Sequence, residues 1–147
     1  MKSQRLDGSG GTRTFVLVFK TGEQVTAPLL EFARAQDIDA ASLTGIGAFE
    51  RVTLGYFEIQ KRDYERIPID EQVEVVSLLG NVARGDDGPK LHAHVVVGRK
   101  DGSAHGGHLL EAVVRPTLEI VLVETPAHLR RRMDPSTGLA LIDLQAK

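Results

Sequence analysis

Cysteine does not occur in this chain of 147 residues. Its absence removes disulfides, thiolate nucleophiles and every Cys-containing zinc or iron–sulfur site. Any metal must therefore be held by His, Asp, Glu or water. An excess of one charge is missing too: 18 Lys and Arg face 20 Asp and Glu, for a formal charge of −2. Phosphate binding needs a basic field or at least a basic face, so DNA is a partner that the charge does not favour. No apolar run is long enough to span a bilayer, and MKSQRLDGSGGTRTF has no apolar h-region. The expectation is a soluble, cytoplasmic protein with no membrane partner. No Walker motif or nucleophile elbow is present, and TGIGAF lacks the third glycine and the strand-to-helix context of a dinucleotide fingerprint.

An apolar content of 41% is enough for one sizeable core. Residues 1–11 are polar and glycine-rich and are expected to form a flexible lead-in, with a single domain over 12–147. TRTFVLVFKTGE reads as a strand closed by a turn at Lys20–Glu23. Thr26 is placed as an N-cap, Pro28 lies in the first helical turn, and Leu29, Leu30, Phe32 and Ala33 form a stripe to about Gln36. Glycine-punctuated strand character follows, in which Val52, Leu54 and Tyr56 alternate with polar or small neighbours, and then an apolar strand from Val73 to Val82 entered through a Pro68-Ile69-Asp70 turn. RGDDGPK, residues 84–90, is read as a surface loop. HAHVVVGR, KDG, HGGHLLEAVV and PTLEIVLVE give strand, turn and further strand, and the tail holds one turn of helix, a Pro-Ser-Thr-Gly turn and a last strand, LALIDL. These elements predict an α+β fold: a curved, mostly antiparallel sheet with one main helix and short extra helices.

Four of the five histidines lie in LHAHVVVGRKDGSAHGGH, residues 91–108. Side chains two apart on a strand share a face, about 7 Å from each other, so His92 and His94 can converge on one ion. The hairpin register decides whether His108 joins them. A three-residue loop, Lys100-Asp101-Gly102, pairs Arg99 with Ser103, sets His94 opposite His108 and His92 opposite Leu110, and turns His105 to the other face opposite Val97. A two-residue Asp101-Gly102 turn instead sets His108 opposite Val95, and Gly106-Gly107 must then bulge to restore the parity. The first route needs fewer assumptions. Three imidazoles make an open zinc site whose fourth position is left for water, substrate or a carboxylate. His128 is connected to nothing else by the sequence.

LHAHVVVGRKDGSAHGGHLLEAVVRPTLEIVLVE resembles the second half of the plants-and-prokaryotes-conserved (PPC) domain, with its leucine-histidine strand, D-G hairpin and G-G-H-L-L stretch. SLTGIGAFERVTLGYF and VEVVSLLGNVA are similar to its first half, so that the resemblance covers residues 12 to 144. It implies an α/β fold on a largely antiparallel sheet, a homotrimer, and zinc held on histidines in prokaryotic members; carried over, the ligands are His92, His94 and His108. In plants the domain sits beside AT-hooks in DNA-binding proteins. This chain departs there: it has no R-G-R-P hook, and Arg115-Pro116 is no substitute.

Arg130-Arg131-Arg132, the only dense basic run, reads as an exposed or salt-bridged turn. Gly45 and Gly47 read as bulge or close-approach residues lining the same cavity as the histidines. Glu74, Glu111 and Glu119 are read as partnered structural carboxylates, with Glu111 turned away from the histidines by parity. Acid–base catalysis thus has no second player, and no enzyme assignment is made. The expectation is a zinc-binding homotrimer acting as a small-molecule-binding or regulatory module, the alternatives being a DNA-associated protein and a zinc-dependent hydrolase or lyase.

Overall fold

The computed structural model describes residues 1–6, 12–125 and 128–145. Strand β2 (Thr14–Lys20) alternates as its sequence demands, with Phe15, Leu17 and Phe19 buried. Ahead of it, β1 (Lys2–Leu6) pairs antiparallel with β2 as an exposed edge strand. The start of the expected lead-in is therefore a strand, because the unpaired edge of β2 offers backbone partners that composition does not reveal; residues 7–11 lie outside the described residues.

The helix α1 (Thr26–Ala35) buries Leu29, Phe32 and Ala33, and the Phe32 ring meets Phe15 edge-on at 5.2 Å. Its N-cap is Val25, without a side-chain cap, so Thr26 is the first helical residue and not the cap. Pro28 is third in the helix, where its missing N–H leaves no bond unmade. The helix closes with Asp37 at φ +50, its N–H donating to the Arg34 carbonyl and the Ile38 N–H to the Ala33 carbonyl, the 5→2 and 6→1 bonds of a Schellman end.

Five further strands complete the main sheet: β3 (Ala40–Glu58), β4 (Asp63–Ile69), β5 (Val73–Gly85), β6 (Gly88–Gly98) and β7 (Ala104–Glu124). The order is β1-β2-β7-β6-β5-β3-β4, all antiparallel, and β3 also pairs with β7. That extra ladder closes β7, β6, β5 and β3 into a small barrel filled by residues such as Phe49, Leu54, Leu78, Val97, Leu118 and Ile120. The two longest strands, β3 and β7, bend around it at register shifts. One lies at Gly45 and Gly47. A Cβ on Gly47, whose φ is +151, would stand 2.3 Å from the Thr117 carbonyl oxygen, so this position accepts only glycine.

Three readings need correction. The segment before Val73 is not a mere turn: Asp63–Ile69 forms edge strand β4 against β3, with Pro68 tolerated there because it lies at the sheet's edge. The loop at 84–90 is a tight hairpin, Gly85 pairing with Gly88. Among the described residues α1 is the single helix. Where a turn of helix was expected ahead of the Pro-Ser-Thr-Gly turn, β8 (Arg131–Asp134) forms, and it pairs with β9 (Leu139–Ile142), the expected last strand, as a separate hairpin. Asp134 accepts from the Ser136 and Thr137 hydroxyls, and Gly138 takes φ +76, so the turn organises strands on both sides. No helix among the described residues is long and apolar enough to cross a membrane.

Phe49 is fully buried where β3 passes from β5 toward β4. Phe49→Ala is expected to lower unfolding free energy by about 3–5 kcal/mol, read from the urea midpoint at constant slope.

Candidate metal centre

The β6–β7 turn has the three-residue form. The Arg99 N–H donates to the Ser103 carbonyl, the Gly102 N–H to the Arg99 carbonyl, and Gly102 takes φ +83. Asp101 tightens the turn by accepting from the Ser103 N–H and hydroxyl. With that register His94 pairs with His108 and Val97 with His105. Ala93, Val95 and Val97 fill the barrel, so His92 and His94 point outward. His92 does not lie opposite Leu110. The β6–β7 ladder ends at His94, and β7 moves away through the register shift at Leu109–Glu111. His92 keeps only its β5 partner, Asn81. The gap so opened is the floor of a cleft.

His92, His94 and His108 each offer a ring nitrogen, and these atoms lie within 4.8 Å of one another. The ring centroids form a nearly even triangle with sides of 5.1, 5.2 and 5.4 Å. The Nε2 atoms of His92 and His94 are 3.1 Å apart. Two tetrahedral bonds from nitrogen to zinc span about 3.3 Å, so this pair already has the spacing of two ligands on one ion. The pKa of His108 is pushed down from 6.5 to about 4, first by burial and then by His92, His94 and Arg131. That of His92 is also lowered, by burial ahead of the nearby Arg131 and His94. Both rings are held neutral, the form in which imidazole binds a metal.

The cleft around the triad has a volume of about 510 Å³. On one side β3 supplies Gly55 and Phe57, and β4 supplies Tyr64, whose ring stacks on His108 at 4.6 Å with its hydroxyl 3.4 Å from Nδ1. Gly55 makes the stacking possible, since a Cβ there would meet Tyr64 Cδ1 at 2.7 Å. Burial raises the Tyr64 pKa, so its hydroxyl stays protonated. On the other side stand Leu139, Leu141 and Arg131 of the β8–β9 hairpin.

Arg131 corrects the reading of the basic run as an exposed or salt-bridged turn. It is 8% exposed and donates to the Asn81 Oδ1 at 2.7 Å and the Ala140 carbonyl at 2.8 Å. Its Nη2 stands 3.4 Å from His92 Nδ1. Alternation along β8 buries it while Arg132 stays exposed beside Asp143. Tyr64 and Arg131 were not singled out from the sequence. Little signal was available: β4 and β8, two segments read as turn and helix, bury only Ile69 and Arg131, too few positions to show a period of two.

Elsewhere, His105 faces a separate hollow lined by Ile67, Pro68, Asp70, Glu71 and Arg99. Glu111 pairs with Arg66 at 2.7 Å. Gly45 and Gly47 are bulge residues, as read, but they do not line the cleft.

A closed antiparallel barrel with three converging imidazoles beside an open cleft defines a small β-rich domain whose histidines could hold a cation. The Plants and Prokaryotes Conserved (PCC, or PPC) domain matches residues 6–126, and the chain belongs to that family. A Pyrococcus horikoshii PPC protein is similar at 32% identity and a TM-score of 0.84, covering 96% of this chain and 100% of its own. A metal-containing protein from Archaeoglobus fulgidus is 32% identical, with a TM-score of 0.81 over 97% of this chain and 99% of its own. A candidate DNA-binding protein from Bacteroides thetaiotaomicron is 28% identical, with a TM-score of 0.86 over 98% and 99%. No curated protein matches the chain.

The depressed histidine pKa carries a stability signature. Unfolded His108 takes up a proton near 6.5, whereas folded His108 does so only near 4. Its contribution to stability is complete above 6.5 and is lost as pH falls toward 4. In chelator-treated protein the urea midpoint should therefore drop between pH 7 and pH 4.5, and the drop should shrink in His108→Gln.

Proposed function

We propose that this chain is a metal-binding PPC-domain protein in which His92, His94 and His108 hold one zinc ion and leave a position open to a small molecule in the cleft. The observation that carries the reading is the triad itself: three outward imidazole nitrogens within 4.8 Å. Four-coordinate zinc suits three neutral imidazoles better than hard, oxygen-seeking ions do. The metal-containing Archaeoglobus relative supports the same conclusion. A bound zinc ion would act as a Lewis acid on whatever occupies the open position. Tyr64 braces His108 through its stacked ring, and its hydroxyl is placed to accept a hydrogen bond from the Nδ1–H and fix that ring's tautomer.

Self-association into a homotrimer belongs to this reading. Ile46, Val76, Leu79, Val96 and Val121 form an exposed apolar strip on the outer face of the barrel, with Leu79 paired beside His94. Large apolar strips on soluble domains mark contact surfaces, and this one runs into the triad, so a subunit boundary beside the metal follows. The Bacteroides neighbour gives the DNA-associated alternative its support. The net charge of −2 and the apolar cleft favour small-molecule binding or regulation through it over DNA.

Elemental analysis of purified protein should return about one zinc per chain, and the His92/His94/His108 triple alanine variant should return none; metal-free parent protein would falsify the reading. Deleting Lys100 shortens the loop to two residues and turns His108 off the face. Zinc affinity should fall by at least about tenfold, more than a change outside the ligand shell causes. Light scattering should give a trimer mass for the parent and a smaller one for Val76→Lys/Val96→Lys, whose sites are 59% and 39% exposed in the single chain.

A further inference from the structure

Arg131 has the burial of a core residue and the chemistry of a binding group. Buried guanidinium groups are ordinarily neutralised by a carboxylate. Among the described residues none forms an ion pair with Arg131; its partners are the neutral Asn81 amide, the Ala140 carbonyl and, at 3.4 Å, the neutral His92 ring. The first two anchor the fork from β5 and β9, and none of the three cancels its charge. Its Nε–H is buried with no acceptor among the described residues. An arginine has five N–H donors, so part of this fork's capacity, the Nε–H included, stays unused.

The surroundings repeat the imbalance. Arg131, Lys90 and three histidines line the cleft, and among the described residues no Asp or Glu does; Lys90 has its own counter-ion outside the cleft in Asp87, whereas Arg131 has none. The divalent ion of the proposed function would add two more positive charges. What the site lacks is negative charge, within reach of both the triad and the guanidinium. The rest of the wall, including Phe57, Leu91, Leu139 and Leu141, is apolar. A cleft of about 510 Å³ lies in the range of small organic ligands and exceeds what a bare inorganic anion fills.

We propose that the cleft is a receptor for a small organic monocarboxylate, its carboxylate held between the triad's metal position and Arg131, and its apolar body against Phe57, Leu91 and the β8–β9 hairpin. This rests on the metal reading above for one end of the carboxylate and on Arg131 for the other. A planar guanidinium matches carboxylate geometry, and small movements of the fork toward the cleft bring its unused donors to the ligand. The hairpin that carries Arg131 also carries Leu139 and Leu141, so one element reads both the charge and the apolar end.

The test is calorimetric titration of zinc-loaded protein with hexanoate, benzoate, benzamide and inorganic phosphate, with zinc content measured on the same samples. Hexanoate or benzoate should bind, benzamide and phosphate should bind at least about tenfold more weakly, and Arg131→Gln should keep its zinc while losing at least about tenfold in carboxylate affinity. Arg131→Lys, which keeps charge but not the fork, should fall between the two. Equal affinity for benzoate and benzamide, tighter phosphate than carboxylate, or silence toward both carboxylates at full zinc content overturns the proposal; the benzoate and benzamide comparison needs no variant to fold. Zinc-free protein would overturn the metal reading separately, and carboxylate binding that is still lost in Arg131→Gln would then uphold the guanidinium's part.

Discussion

The five paired positions between β6 and β7, from His94 with His108 to Gly98 with Ala104, depend on a turn of three residues. Side chains alternate with a period of two, so a slip of one residue would exchange every inward group of the hairpin for an outward one. Val95 and Val97 would leave the core, and His108 would enter it. Burial of the valines and placement of the imidazoles are thus one constraint viewed from two faces of the same strands. The barrel enforces it from within, because residues such as Phe49, Leu118 and Ile120 leave no room for an imidazole among them.

Beyond His94 the same two strands part, and the cleft depends on that parting. β7 cannot follow β6 further because it is committed to β3 along most of its length and to β2 in its second half. The barrel's closure therefore decides where the ladder ends. The exposed backbone and outer face at that end are covered by β4 through Tyr64 and by the β8–β9 hairpin through Arg131. The result is a pocket with neutral imidazoles at its floor and a cation at its wall. Its electrostatics follow from burial: water is scarce enough to keep His92 and His108 unprotonated, while Arg131, whose charge cannot be given up at ordinary pH, needs compensation.

Much of this was readable in one dimension. The D-G signal placed the turn, and alternation from Leu91 to Val97 placed His92 and His94 on the outward face. The α1 stripe identified Leu29, Phe32 and Ala33 as its buried side. Other segments misled for identifiable reasons. Asp63–Ile69 carries charge on both sides because an edge strand has no second neighbour to bury it. Arg131 sits in a run of three arginines, where composition signals solvent, and only strand alternation separates the middle one from its neighbours. Thr26 resembles a cap in type, yet Val25 occupies that position because its buried side chain sets where the chain enters the helix.

Local and global information divide along a physical line. Turn chemistry and side-chain period act over a few residues, so residues 91–108 narrow the hairpin to two registers and favour the one with three outward histidines, which is the one the structure adopts. The backbone N–H and C=O groups by which strands pair are the same at every position, and they carry no address. Which strand closes on which was settled by the burial of the whole apolar set, and so was the landing place of the last hairpin. For that reason Tyr64 and Arg131, 44 and 39 positions from the histidines they touch, belong to the site only in the folded chain.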